Sequence, residues 1–174
     1  QDIEPVIIET NIENKFQISP NSINNQELNG ILVASPANPT GSMLDSNQLT
    51  QLIKKCHDNS ISFISDEIYH GIEYQKKAVS ALEITDDCYV INSFSKYFSM
   101  TGWRVGWMVV PEEHIRQVER LAQNMFICAP HSSQIAALGA LNSVKELNQN
   151  LEVYKTNREL LINGLKKAGF DKFA

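Results

Sequence analysis

The sequence is short of the residues that mark several large function classes. Cysteine occurs three times, at Cys56, Cys88 and Cys128. Three widely spaced thiols build neither a disulfide framework nor a zinc motif, and they fit a reducing compartment such as the cytoplasm. Four histidines, His57, His70, His114 and His131, lie too far apart for metal-ligand spacing, so no metal site is expected. Positive charge is in deficit: 15 Lys and Arg stand against 20 Asp and Glu, a net charge of -5. No basic stripe appears, so nucleic acid is not an expected partner. Long apolar runs are missing too. Stretches such as "ILVA" and "WMVV" are strand-sized, and nothing spans a membrane. The chain starts with Gln1 rather than Met and ends in "GFDKFA", so it reads as a piece of a longer protein, and the lack of a signal peptide carries no weight.

What is present fits an ordinary globular chain of about one domain. It has 174 residues, 43% of them hydrophobic and 20% charged, enough to bury a core. Short apolar runs alternate with longer amphipathic ones. Residues 5–10, 30–36, 61–65, 88–93 and 105–111 read as strands. Residues 44–60, 112–128 and 131–147 read as helices, with a short one at 78–84 and a long one from Asn148 to Gly169. Strands alternating with helices predict a three-layer α/β/α fold with a mostly parallel sheet.

Three polar residues follow three of these strands: Asn38, Asp66 and Lys96. They are 28 and 30 residues apart, the length of one strand-crossover-strand unit of about 30 residues. Parallel strands would carry all three to the carboxyl edge of the sheet, where open α/β sheets bind ligands. Lys96 sits in "SFSKYFSMTGWRVGW" among serines, aromatics and a methionine. An apolar setting of Phe94, Tyr97, Phe98 and Met100 disfavours an ammonium and favours a nucleophilic amine. The commonest such lysine holds pyridoxal 5'-phosphate (PLP) as a Schiff base. PLP also asks for a carboxylate at its ring nitrogen, donors at its ring oxygen, and hydroxyls with a guanidinium at its phosphate. Asp66, Asn38 with Tyr69, and Ser93 with Arg104 match those demands. Each residue alone has an ordinary explanation as a cap, turn former or core group; the shared edge favours the joint reading. Trp103 and Trp107 are read as packing residues around Arg104. His70, next to Tyr69, is expected to point elsewhere.

The segments "SPANPTG" (35–41), "SDEIYHGIEY" (65–74) and "NSFSKYFSMTGWRVGW" (92–107) resemble the signature segments of the class I/II aminotransferases, PLP enzymes of the aspartate aminotransferase fold type I. The resemblance implies that Lys96 is the Schiff-base lysine and proton shuttle, and Asp66 the partner of the ring nitrogen. It makes Tyr69 and Asn38 donors to the ring oxygen, and Ser93 and Arg104 phosphate ligands, with Ser95 a weaker one. Pro36 and Pro39 fall where such enzymes hold cis peptides. It further implies amino acid and 2-oxo acid substrates and a homodimer when full length. Residues 1–147 would be part of the large PLP-binding domain and 148–174 a long helix leading to a small C-terminal domain. A phosphate loop, a ring-stacking aromatic and a substrate-carboxylate arginine would then lie outside Gln1–Ala174. Two other outcomes stay open on these residues: a carbon-sulfur β-lyase, and a non-catalytic sensor domain of a transcription regulator.

Overall fold

The computed structural model describes residues 3–24 and 27–170. Its sheet has four strands in the order β1 (Gly30–Ala34), β2 (Ser62–Asp66), β3 (Tyr89–Ser93) and β4 (Gly106–Val109). The first three are parallel and β4 is antiparallel to β3. The fold is α/β with a mixed, mostly parallel sheet, as the alternating pattern predicts.

Helix α1 (Ser46–Asp58) makes the crossover from β1 to β2. Its start is written in the sequence. Asp45 accepts from Gln48 N at 2.8 Å, and the Gln48 side chain accepts from Asp45 N at 3.0 Å. Such a reciprocal cap contributes about 1 kcal/mol. Leu49, Leu52, Ile53 and Cys56 recur at helical spacing and are all buried. They pack with Ile31, Val33, Phe63 and Val90, which point from one face of β1, β2 and β3 into the same core. On the other face Leu32 is 62% exposed, so the described residues cover that side of the sheet less completely.

The β3–β4 pair closes on Ser93 opposite Gly106. A Cβ on Gly106 would stand 2.7 Å from the Asn92 carbonyl oxygen, so a larger residue would push the strands apart. This close pairing brings both ends of the 94–105 connection to the carboxyl end of β3. Beyond it come α2 (Ile115–Met125), α3 (His131–Leu141) and α4 (Val144–Lys167). A second, smaller core joins Phe94 and Met100 to Ala137 of α3.

Several expectations need correction. Residues 5–10 are not a strand. Ile7 is 87% exposed, and with no neighbouring strand among the described residues the apolar run has no ladder to join. The segment 78–84 holds only a single 3-10 turn, Ala81–Glu83, and 112–128 splits into a 3-10 turn (Glu112–His114) and α2. The helix expected over 131–147 ends at Leu141, where Asn142 and Ser143 turn their side chains back onto the Leu138 and Gly139 carbonyls. The long helix therefore begins at Val144 rather than Asn148.

Cys56 and Cys88 are fully buried in the first core. Burial pushes the Cys56 thiol from its ordinary 9.0 up to about 11. Burial, and then the Glu67 carboxylate, does the same to Cys88, to about 11. Unfolding restores the ordinary value, so above pH 9 the unfolded chain sheds protons that the fold retains. Stability is complete below that point and should fall between about pH 9 and about pH 11, by about 1.4 kcal/mol per pH unit for each thiol. Denaturant melts of the full-length protein across this window, beside a Cys56→Ala/Cys88→Ala variant, measure it. The variant should lose the extra slope; equal slopes would refute the account.

Candidate active site

The carboxyl ends of β1, β2 and β3 deliver the expected residues to one edge. Ala34 pairs with Asp66, and Asp66 with Ile91, so the three strands end within a few residues of each other. Asp66 is the last residue of β2 and half-buried; its Oδ1 accepts from Ile68 N at 3.1 Å. That bond turns the chain out of the strand and leads directly to Tyr69.

Lys96 follows β3 in a tight loop. The Ser95 N–H donates to Ser93 Oγ at 3.0 Å, and Ser93 Oγ donates to Ser95 Oγ at 2.8 Å. Thr101 Oγ1 donates to the Ser95 carbonyl at 2.6 Å, and Ser99 N donates to the Lys96 carbonyl at 2.9 Å. Phe94 anchors the loop in the second core, 4.6 Å from Phe98 and 5.2 Å from Trp107 between ring centres. Lys96 itself is half-buried, and its Nζ lies 5.4 Å from the centre of the Tyr69 ring. The aromatic that faces the amine is thus Tyr69.

The loop is also clamped from outside. Gly71 has φ +91, and a Cβ there would lie 2.7 Å from the Tyr97 ring. Only glycine accepts both the conformation and the contact. The Tyr97 hydroxyl donates to Asn148 Oδ1 of α4 at 3.0 Å. The neighbour of Lys96 is thereby held between the segment after Tyr69 and the long helix.

Lys96, Ser93, Ser95 and Arg104 line one open cavity of about 430 Å³, with Ile68, Thr101, Val105 and Gly106. Two cations and three hydroxyls meet there, a donor-rich set suited to an anion. Arg104 is exposed and adopts the left-handed backbone region at φ 52, ψ 50; its Nη1 donates to the Thr101 carbonyl at 3.0 Å. A non-glycine residue held there costs on the order of 1 kcal/mol, a cost found often at ligand sites.

The seven expected residues are not gathered equally. Four share the cavity, and Tyr69 stands against Lys96 Nζ. Asp66 joins them through the strand register. Asn38 is exposed on the turn after β1 and makes no hydrogen bond to the other six among the described residues. Both Ser35–Pro36 and Asn38–Pro39 are cis. Trp107 has the packing role expected of it, edge-on against Phe94 and Phe98, while Trp103 is 46% exposed. Thr101, Glu67 and Gly71 were not anticipated. Thr101 has a signal, a hydroxyl inside the Lys96 segment; nothing in the residues beside Glu67 marks it as buried.

The family model described as "Aminotransferase class I and II" matches residues 2–174. The chain belongs to the class I and II aminotransferases. Among curated aminotransferases it is similar to the valine–pyruvate aminotransferase of Mycobacterium tuberculosis, 43% identical over 151 residues, 84% of this chain and 39% of that protein. A solved structure from Silicibacter pomeroyi superposes with a TM-score of 0.92 at 63% identity, covering 95% of this chain and 45% of that one. An aminotransferase structure from Mycobacterium tuberculosis gives 0.89 at 39% identity, covering 94% and 44%. The chain therefore spans less than half the length of these relatives. The family is generally PLP-dependent. No helix among the described residues is long and apolar enough to cross a membrane.

Proposed function

We propose that the protein containing this chain transfers an amino group between an amino acid and a 2-oxo acid with PLP as cofactor. One observation carries the reading: a half-buried lysine shares a cavity with two serine hydroxyls and a guanidinium at the carboxyl ends of parallel strands, in a chain of the aminotransferase family. The residues fit the cofactor by the chemistry of their donors. Ser93, Ser95 and Arg104 supply hydroxyls and a planar cation for a phosphate, which a lysine at position 104 would not reproduce. Asp66 supplies an anion at the strand end, and Tyr69 and Asn38 supply donors.

When bound, PLP contributes an aldehyde carbon that accepts an amine and a ring that withdraws electrons from it. This chain's own part is to attach the cofactor, orient it and move protons. Lys96 Nζ attaches the cofactor and moves the proton at the substrate Cα. The Asp66 carboxylate keeps the ring nitrogen protonated. Tyr69 and Asn38 donate to the ring oxygen, and Ser93, Ser95 and Arg104 hold the phosphate. Residues 1–147 are proposed as part of the cofactor domain, and the helix through 148–174 as the lead to a small domain. We place the enzyme in the cytoplasm as a homodimer, in keeping with the exposed Leu121, Met125, Phe126 and Ile127 at the end of α2.

The test uses the full-length protein with PLP, a panel of amino donors and 2-oxoglutarate. Glutamate should form at about 1 s⁻¹ or faster with at least one donor. Release of ammonia in place of glutamate, or no turnover with any donor, would overturn the reading.

A further inference from the structure

We propose that His70, braced by the buried carboxylate of Glu67, is a positioning residue that fixes the Asn38 turn relative to Tyr69. The inference rests on the reading above, that Asn38 and Tyr69 serve the cofactor's ring oxygen.

Glu67 is 3% exposed, directly after β2. A carboxylate so placed needs donors. Its Oε1 accepts three hydrogen bonds, from Ser65 Oγ at 3.0 Å, Ser80 Oγ at 3.1 Å and Ala81 N at 2.8 Å. Its Oε2 faces His70 Nδ1 at 3.4 Å. The other ring nitrogen, Nε2, lies 3.0 Å from the Ser35 carbonyl oxygen. A carbonyl only accepts, so Nε2 carries the proton in this contact. The imidazole therefore bridges the segment after β2 to the segment after β1, 35 residues away.

What lies on each side of the bridge gives it a purpose. Ser35 is buried; its N–H donates to the Asp66 carbonyl at 3.2 Å and its Oγ accepts from Leu44 N at 3.0 Å. It starts the turn 36–41 that carries Asn38. His70 N donates to the Glu67 carbonyl at 2.9 Å, which fixes the short turn bearing Tyr69. One side chain thus ties together the two segments that present the proposed ring-oxygen donors. Asn38 itself is exposed. Its turn is closed by Ala37 N on the Ser42 carbonyl at 2.9 Å and Gly41 N on the Ala37 carbonyl at 2.7 Å, and its start is tied to the end of β2 by the Ser35–Asp66 bond; the His70 ring is the side chain that carries the tie on to the turn bearing Tyr69. A histidine serving only the core would lower stability when replaced and leave the site's electronics alone. A positioning histidine would alter both.

The readout is the visible absorbance of the bound cofactor, followed against pH in the full-length enzyme. A donor to the ring oxygen stabilises its negative charge and so eases loss of the neighbouring proton; a misplaced donor raises the midpoint. His70→Phe should raise that midpoint by about one pH unit. In His70→Gln the side-chain amide can still reach the Ser35 carbonyl, and the midpoint should return most of the way. His70→Asn is too short to reach, and should behave like His70→Phe; it decides the matter if the phenylalanine variant fails to fold. Thermal melts run beside each titration. Lower melting with an unchanged midpoint in His70→Phe or His70→Asn overturns the proposal, as does an equal shift in His70→Gln. If wild-type enzyme shows no visible cofactor band, the cofactor reading itself fails, an outcome distinct from a normal band that ignores His70.

Discussion

Replacing Lys96 by alanine should abolish amino transfer, with kcat lowered at least about 10³-fold. The reason is positional. Among the described residues, Lys96 contributes the only amine that lines the cavity. Lys54 is on α1 and paired with Asp58 at 2.8 Å, and Lys155 is beside Glu152 on α4. No other lysine lies in the 94–105 connection. An alanine leaves the loop intact, because its bonds run through Ser93, Ser95, Ser99, Thr101 and the backbone rather than through the lysine side chain. The variant should therefore fold and lose chemistry. Borohydride reduction of wild-type enzyme with PLP should label the peptide containing Lys96, and the variant should take no label. A label on a different lysine, or activity within tenfold of wild type, would remove Lys96 from its proposed role.

Much of this site was legible because its residues follow strands. The 28- and 30-residue gaps between Asn38, Asp66 and Lys96 match parallel strand units, and β1, β2 and β3 are parallel and adjacent. Apolar spacing marks the buried face of α1, expected over 44–60 and found at Ser46–Asp58 behind the Asp45–Gln48 cap. The failures have physical causes. An apolar hexapeptide such as residues 5–10 carries strand propensity, but a strand exists only where a neighbour accepts its hydrogen bonds. The break at Asn142 was invisible because Asn and Ser inside a helix cost only tenths of a kcal/mol by propensity, about 0.5 each. Side-chain bonds to the preceding turn then decide the ending. Glu67 and His70 were hidden for another reason. Nothing local says that a glutamate beside an aspartate is buried; that follows from Ser80 and Ala81 folding back over it, 13 and 14 residues later.

That pair of acids frames the second expected result, because Asp66 ends β2, Glu67 follows it directly, and only one suits the ring nitrogen. Glu67 is committed: it is buried, with Oε1 accepting three hydrogen bonds and Oε2 facing His70. Asp66 is half-buried, and among the described residues its side chain accepts through Oδ1 alone. Asp66→Asn should then lower the rate of α-proton removal by about 10²-fold or more, about 3 kcal/mol in the barrier. The amide oxygen of asparagine can still accept from Ile68 N, so the turn to Tyr69 should survive. Ser93, Ser95 and Arg104 are untouched, so PLP should remain bound with affinity changed much less than the rate. What the variant lacks is the negative charge that keeps a proton on the ring nitrogen. Single-turnover exchange of the substrate α-deuterium measures this step apart from binding and product release. An exchange rate near that of wild type, with PLP bound, would take Asp66 out of the proposed site.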